Sequence, residues 1–217
     1  MNKKAVILLS GGLDSATTLF FAKTKGYDCH CLIFDYGQRH RREITSAKTI
    51  ARLANVPYHC VNISFPWKGS ALTDRAIDVP KHKIPSRKEI PITYVPARNI
   101  IFLSFAASYA EAIGAKTIFI GANAVDYSGY PDCRPSFIKA YQQMLTKGIK
   151  AGVEGKPIKI ETPLIHLTKA AIIKLAVRLK VPVAKTWSCY QGGQKPCGVC
   201  DSCQLRIKGF KEANINE

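Results

Sequence analysis

Ser10-Gly11-Gly12-Leu13-Asp14-Ser15 stands between a short apolar run, Ala5 to Leu9, and helix-favouring residues from Asp14 to Lys25. Two glycines at a strand-to-helix turn let the backbone aim several N–H groups at one anion, and the helix N-terminus adds partial positive charge. The hydroxyls of Ser10 and Ser15 can donate to phosphate oxygens. Asp14 would repel phosphate directly, so a bridging Mg²⁺ is its natural partner. A plain Gly-Gly turn would not explain why both glycines and both hydroxyls crowd one junction. The loop is neither G-x-x-x-x-G-K-[ST] nor G-x-G-x-x-G.

Near the C-terminus Cys189, Cys197, Cys200 and Cys203 read C-x7-C-x2-C-x2-C, with Gly192, Gly193 and Gly198 between them. Four thiolates so spaced can close around one tetrahedral ion, with Zn²⁺ the first choice. C-x2-C-x2-C also occurs in ferredoxins, which leaves an iron–sulfur cluster as the second. A closed four-thiolate zinc site has no open position and is therefore structural. Buried, unreactive thiols are the expectation for Cys29, Cys31 and Cys60, while Cys133 falls in a loop.

The elements that must position these groups alternate along the chain. Apolar strands are expected at Ala5–Leu9, Cys29–Phe34, Tyr58–Ile63 and Thr117–Ile120, with a short one at Lys159–Thr162. Helices are expected at Asp14–Lys25, Arg41–Leu53, Asn99–Ile113 and about Ser136–Lys147. Another runs from a Thr168 cap to about Leu179. Between them lies a long Pro- and Lys-rich excursion, Phe65 to Pro96, of the kind that is often functional. Repeated strand–helix units imply a doubly wound parallel α/β sheet, Rossmann-like, over residues 1–186, followed by a four-cysteine zinc module over 187–217.

Composition narrows the class. The chain has 217 residues, 47% of them hydrophobic and 22% charged, which excludes a wholly disordered chain or a rod. With 32 Lys+Arg against 15 Asp+Glu, its net charge of +17 favours polyanionic partners: nucleotide phosphates, nucleic acid or an anionic membrane surface. The first apolar run is too short for a secretory signal, and none reaches the ~18 residues of a membrane span. The expected location is cytoplasmic, where eight cysteines point to metal or catalysis rather than disulfides.

The run S-G-G-x-D-S resembles the pyrophosphate loop of N-type ATP pyrophosphatases, whose fold is adenine nucleotide alpha hydrolase-like. Further strings narrow the resemblance: Asp35-Tyr36-Gly37-Gln38-Arg39-His40, Tyr94-Val95-Pro96-Ala97-Arg98-Asn99, the segment from Asp126 to Pro135, and Thr186-Trp187-Ser188-Cys189-Tyr190-Gln191-Gly192-Gly193. Together, from about Ala5 to Arg206, they resemble the 7-cyano-7-deazaguanine synthase family of queuosine biosynthesis. One departure is Ala171, where an acidic residue is expected after Thr168-Lys169-Ala170.

The resemblance implies an ATP-dependent carbon–nitrogen ligase that turns 7-carboxy-7-deazaguanine and ammonia into the nitrile through adenylated intermediates and an amide. It implies that Mg-ATP lies along Leu8, Leu9, Ser10, Gly11, Gly12 and Leu13, and on through Asp14, Ser15, Ala16, Thr17 and Thr18, with Phe34 beside the adenine. Asp14, Ser15, Arg98 and Lys169 are the catalytic candidates, Arg98 and Lys169 as phosphate-neutralising cations. Asp126, Asp132 and Arg134 could read the deazapurine, or could pair with one another in their loop. His40 and Arg39 cover the nucleotide or start the second helix. The expected partners are the small deazapurine, ATP and free ammonia, with no membrane and no direct nucleic acid, and the expected assembly is a homodimer. The rivals are a tRNA-modifying ATP pyrophosphatase and a zinc-ribbon nucleic-acid-binding protein with steeply salt-dependent RNA affinity.

Overall fold

The computed structural model describes residues 3–82, 89–125 and 129–217. Five parallel strands form one sheet in the order β3-β2-β1-β4-β5: β1 Lys3–Leu8, β2 Tyr27–Asp35, β3 Tyr58–Asn62, β4 Thr117–Ile120 and β5 Lys159–Glu161. Because side chains alternate across a strand, each apolar run feeds both faces. Val6, Leu8, Leu32, Phe34, Ile118 and Ile120 join one core cluster, and Ala5, Ile7, Cys31, Ile33 and Phe119 join the other. Helices α3 (Arg98–Ile113) and α4 (Pro135–Gly148) cover the first face through Leu103, Ala107, Ile138 and Leu145. Helices α1 (Leu13–Thr24), α2 (Arg42–Leu53), α6 (Lys169–Arg178) and α7 (Asp201–Ala213) cover the second through Leu19, Ile50, Ile173 and Phe210. One further turn of helix, α5 (Lys150–Val153), lies before β5.

β2 begins two residues earlier than its apolar run, because Tyr27 and Asp28 pair with Lys3 and Lys4 of β1. The excursion after β3 forms neither a helix nor a named strand among its described residues. It instead buries Ala71 and Val79 against Trp187, Cys189, Cys200 and Cys203, and Lys81 bridges to Cys200. The largest difference from the sequence reading is α7, since the cysteine spacing gave no sign of a 13-residue helix. Gly209 in its middle lowers helix propensity and hides the pattern.

That glycine is there for contact. A Cβ at Gly209 would lie 2.4 Å from Lys169 Cγ and 2.9 Å from Ile173 Cδ1. α7 therefore crosses α6 with its backbone against the base of the Lys169 side chain. Gly209→Ala should lower Tm despite alanine's better helix propensity of about 1 kcal/mol, because overpacking here costs about 1–3 kcal/mol. Thermal unfolding checks this, and a raised Tm would contradict the close crossing.

No helix among the described residues is long and apolar enough to cross a membrane.

Candidate active site

The strand order reverses direction between β1 and β4, and open α/β sheets bind ligands in the crevice that such a reversal leaves at the carboxyl ends of the strands. The cleft is found there. It is lined by the ends of β1, β2 and β4, the first turn of α1, the start of α3, and Trp187 to Arg206.

The loop after β1 is shaped by what crowds it. Gly11 has φ +86°, and a Cβ on it would lie 2.1 Å from the Glu43 carbonyl oxygen, so α2 passes directly over the turn. From the β4 side, a Cβ on Gly121 would sit 3.0 Å from the Asp14 carbonyl carbon. Within the loop the Ser10 hydroxyl donates to Ser15 Oγ at 3.1 Å, and Ser15 Oγ donates to the Gly12 carbonyl at 3.0 Å. Both serines thus brace the turn, while no side chain caps the N-terminus of α1. Its first N–H groups have no intrahelical acceptor, the arrangement that suits an anion.

Lys169, at the first position of α6, donates from Nζ to both carboxylate oxygens of Asp14 at 2.7 Å. Two of the sequence's catalytic candidates are thus one ion pair in the wall of the cleft. Arg98 begins α3 after Ala97, which is held in a left-handed conformation at φ 55°. Burial works against the Arg98 cation, but Tyr36, Tyr130, Cys133 and Asp132 around it outweigh that, and its proton is held more tightly than usual. Arg98 therefore brings a fixed positive charge to the same cleft. Leu8, Leu9, Ser10, Gly12, Leu13, Asp14, Ser15 and Phe34 line it too, while Gly11, Ala16, Thr17 and Thr18 lie behind as packing. Phe34 stacks on Phe102 with ring centroids 4.0 Å apart, making a flat apolar wall.

The residues proposed for the deazapurine separate. Asp126 lies outside the described residues. Asp132 is buried and accepts from the Asn99 backbone N–H at 3.1 Å, so it supplies the cap that Ala97 cannot give α3. Burial pushes its carboxyl up, with Arg98 and the Asn99 N–H pulling back only in part. Arg134 is exposed at the start of α4. Neither Asp132 nor Arg134 lines the cleft; their neighbours Tyr130 and Cys133 do.

Sequence reasoning gave no site role to Tyr36, Glu43, Asn99, Trp187, Tyr190, Asp201 or Arg206, all of which line the cleft. The strings that carry the family resemblance hold Tyr36, Asn99, Trp187 and Tyr190, whereas Glu43, Asp201 and Arg206 lie outside them. The Trp187 backbone N–H donates to the Gly11 carbonyl at 2.9 Å, and the Arg42 guanidinium lies 4.6 Å from the Trp187 ring. Arg206 donates to Thr186 Oγ1 at 2.8 Å and Ser188 Oγ at 3.1 Å. The cysteine segment is therefore a wall of the cleft rather than a free ribbon.

Cys189, Cys197, Cys200 and Cys203 place all four sulfurs within 4.8 Å of one another. Thiolates bound at ~2.3 Å around a tetrahedral zinc would stand just under 4 Å apart, so the donor set fits. Backbone N–H groups of Cys197 and Cys200 donate to Cys189 Sγ and Cys197 Sγ at 3.3 Å, which steadies thiolate charge. The other thiols differ: burial pushes Cys29 up to about 12, and burial with Asp132 does the same to Cys133. Cys31 is buried and also raised, whereas Cys60 is exposed on β3, a correction to the expectation that it is buried. Iodoacetamide at pH 7.5 should therefore add one group to the folded, zinc-loaded protein, at Cys60. Rapid labelling at Cys133 or Cys31 by peptide mass spectrometry would contradict this.

The profile of the family described as queuosine biosynthesis protein QueC matches residues 4–214. The chain belongs to that family. Its curated relatives named 7-cyano-7-deazaguanine synthase include one from Acetivibrio thermocellus, 58% identical over 214 residues, covering 98% of this chain and 95% of that protein. Another, from Thermoplasma acidophilum, is 56% identical over 217 residues, covering 99% and 90%. Among solved structures, NMN synthetase from Francisella tularensis has a TM-score of 0.53 at 15% identity, covering all of this chain and 79% of that one, a likeness of fold. This QueC-family chain has the α/β architecture its phosphate loop implied, with the four-cysteine cluster built against the cleft.

Proposed function

We propose that this chain is an ATP-dependent 7-cyano-7-deazaguanine synthase, acting on 7-carboxy-7-deazaguanine and ammonia. The observation that carries the reading is the Asp14–Lys169 pair beside an uncapped helix N-terminus, in a chain of this family. A carboxylate is a poor electrophile, and ammonia does not displace its oxygen unaided. Attack of the carboxylate on the α-phosphorus of ATP forms a mixed anhydride and expels pyrophosphate. The N–H groups at the start of α1 receive the pyrophosphate.

With Mg-ATP bound, Asp14 would hold the Mg²⁺ and Lys169 a phosphate oxygen, so neither charge would be left unpaired. Arg98 neutralises the charge that develops on the far side. Ammonia then displaces AMP to give the amide, a second adenylation falls on the amide oxygen, and loss of that oxygen as AMP leaves the nitrile. Phe34 and Phe102 suit a flat adenine, and the buried Asp201 carboxylate, which also lines the cleft, suits the N–H edge of a guanine-type ring.

Zinc, which the four cysteines would hold, would supply a fixed cross-link that seats Trp187 and Asp201. A reducing, cytoplasmic setting suits those thiolates. A homodimer is the expected assembly, and light scattering should give twice the mass of the chain. The activity is tested by mixing the protein with Mg-ATP, ammonium and the carboxylate and identifying products by mass spectrometry. Nitrile with AMP and pyrophosphate is the expected result. No turnover of this base by folded, zinc-loaded protein would overturn the reading.

A further inference from the structure

His40 begins the turn before α2 and lines the cleft, yet it is only 2% exposed. Its Nε2 lies 3.0 Å from Glu43 Oε2. Its Nδ1 is buried and has no hydrogen-bond partner among the described residues. Glu43 is held in turn: its Oε1 accepts from Gln38 Nε2 at 2.9 Å. Gln38 is tied to the backbone at both ends, donating to the Phe34 carbonyl at 3.1 Å and accepting from the Tyr36 N–H at 2.8 Å. The imidazole packs beside the Tyr190 ring, with centroids 5.4 Å apart. Gly192 admits no Cβ, which would lie 2.5 Å from the Arg39 carbonyl oxygen, so the cysteine segment presses on the same turn.

This chain of contacts fixes the tautomer. In a neutral imidazole, an Nε2–H donated to Glu43 puts the lone pair on Nδ1. A buried acceptor left without a donor is costly and calls for an explanation, and a ligand N–H in the cleft would supply the missing partner. A base oriented by a carboxylate, itself oriented by a third group, is the arrangement that activates nucleophiles elsewhere.

We propose that His40 is the base that takes the proton from the attacking nitrogen when the adenylated carboxylate is aminated. This rests on the synthase reading above. As ammonia adds to the acyl carbon, its nitrogen becomes cationic and remains a leaving group until it loses a proton. Transfer of that proton to His40 Nδ1 commits the addition. The C–N bond is then formed, the C–O bond to AMP breaks with its electron pair leaving on AMP, and the imidazolium is stabilised by Glu43 before it returns its proton to solvent. The second half-reaction needs the same service, because the O-adenylated amide sheds an N–H proton as its C–O bond breaks to the nitrile.

The experiment separates adenylation from amination in full-length, zinc-loaded protein. Exchange of labelled pyrophosphate into ATP, dependent on the carboxylate, reads the first; nitrile formation reads the second. His40→Asn keeps an acceptor near Nδ1 that takes no proton at neutral pH. Glu43→Gln sets an amide N–H against Nε2 and forces the proton onto Nδ1. Both variants should lower nitrile formation by about 10²–10⁴-fold and exchange by less than about tenfold. If circular dichroism shows that His40→Asn does not fold, His40→Gln, which keeps a donor toward Glu43 but lacks Nδ1, is measured instead. Exchange falling in step with nitrile formation would reassign His40 to substrate binding or structure and overturn the proposal, as would nitrile formation near the wild-type rate. Wild-type protein that makes no nitrile would instead remove the synthase reading, so the two failures are distinct.

Discussion

Replacing Lys169 by Met should lower kcat for nitrile formation by about 10²–10³-fold, the usual cost of removing one preorganised charge from a phosphoryl-type transition state. Lys169 is half-buried at the start of α6, where a linear apolar side chain is tolerated, and Thr168 still caps the helix through the Ala171 N–H at 3.2 Å. The fold should therefore survive, and circular dichroism provides the control. The KM for ATP should rise as well, because Asp14 loses the cation that balances it before nucleotide arrives. Steady-state kinetics on the variant checks both effects. A rate close to wild type would mean that the Asp14–Lys169 pair is a surface ion pair and not part of the nucleotide site.

Replacing Cys200 by Ser has the second large effect, on stability as well as activity. Cys200 is fully buried among Ala71, Val79, Trp187 and the other module cysteines, so a metal held there would brace the cysteine segment against which the long excursion packs. Structural zinc contributes roughly 10–16 kcal/mol to the folding of small zinc peptides, and even a third of that would lower Tm by about 10 °C in a domain of this size. Metal analysis should find about one zinc per wild-type chain and much less in the variant. Activity should vanish with the metal, because Trp187 anchors the Gly11 carbonyl and the segment after it carries Tyr190, Asp201 and Arg206. A variant that loses zinc but keeps its Tm and nitrile formation would show that the cysteine segment plays no part in shaping the cleft.

Much of the scaffold was legible in the residues, for a physical reason. Parallel strands buried on both faces must be continuously apolar, so Ala5–Leu9 and Thr117–Ile120 announce themselves, and Gly26 and Gly114 end their helices with φ of +76° and +70°. The Gly-Gly turn after β1 is equally plain, since a turn that must pass beneath α2 at Gly11 admits only glycine. What stayed hidden depends on contacts between distant segments. Asp132 looked like a ligand-reading carboxylate because its loop is dense in polar residues. Its partner, the Asn99 N–H in the first turn of α3, lies 33 residues away and no local pattern reveals it. α7 was masked by Gly209, whose cause is the crossing with α6. The cleft's second wall was missed because the cysteines suggested a separate module, while Trp187, Asp201 and Arg206 face back toward the phosphate loop.

The most direct test of the central claim, that this cleft transfers AMP to the substrate's own oxygen twice, follows that oxygen. The carboxylate of 7-carboxy-7-deazaguanine is labelled at both positions with ¹⁸O and turned over with Mg-ATP and ammonium, and the AMP, pyrophosphate and nitrile are weighed by mass spectrometry. Two AMP molecules per nitrile, each carrying one ¹⁸O, with unlabelled pyrophosphate, are what double adenylation predicts. Label in inorganic phosphate alongside ADP, or unlabelled AMP, would contradict it.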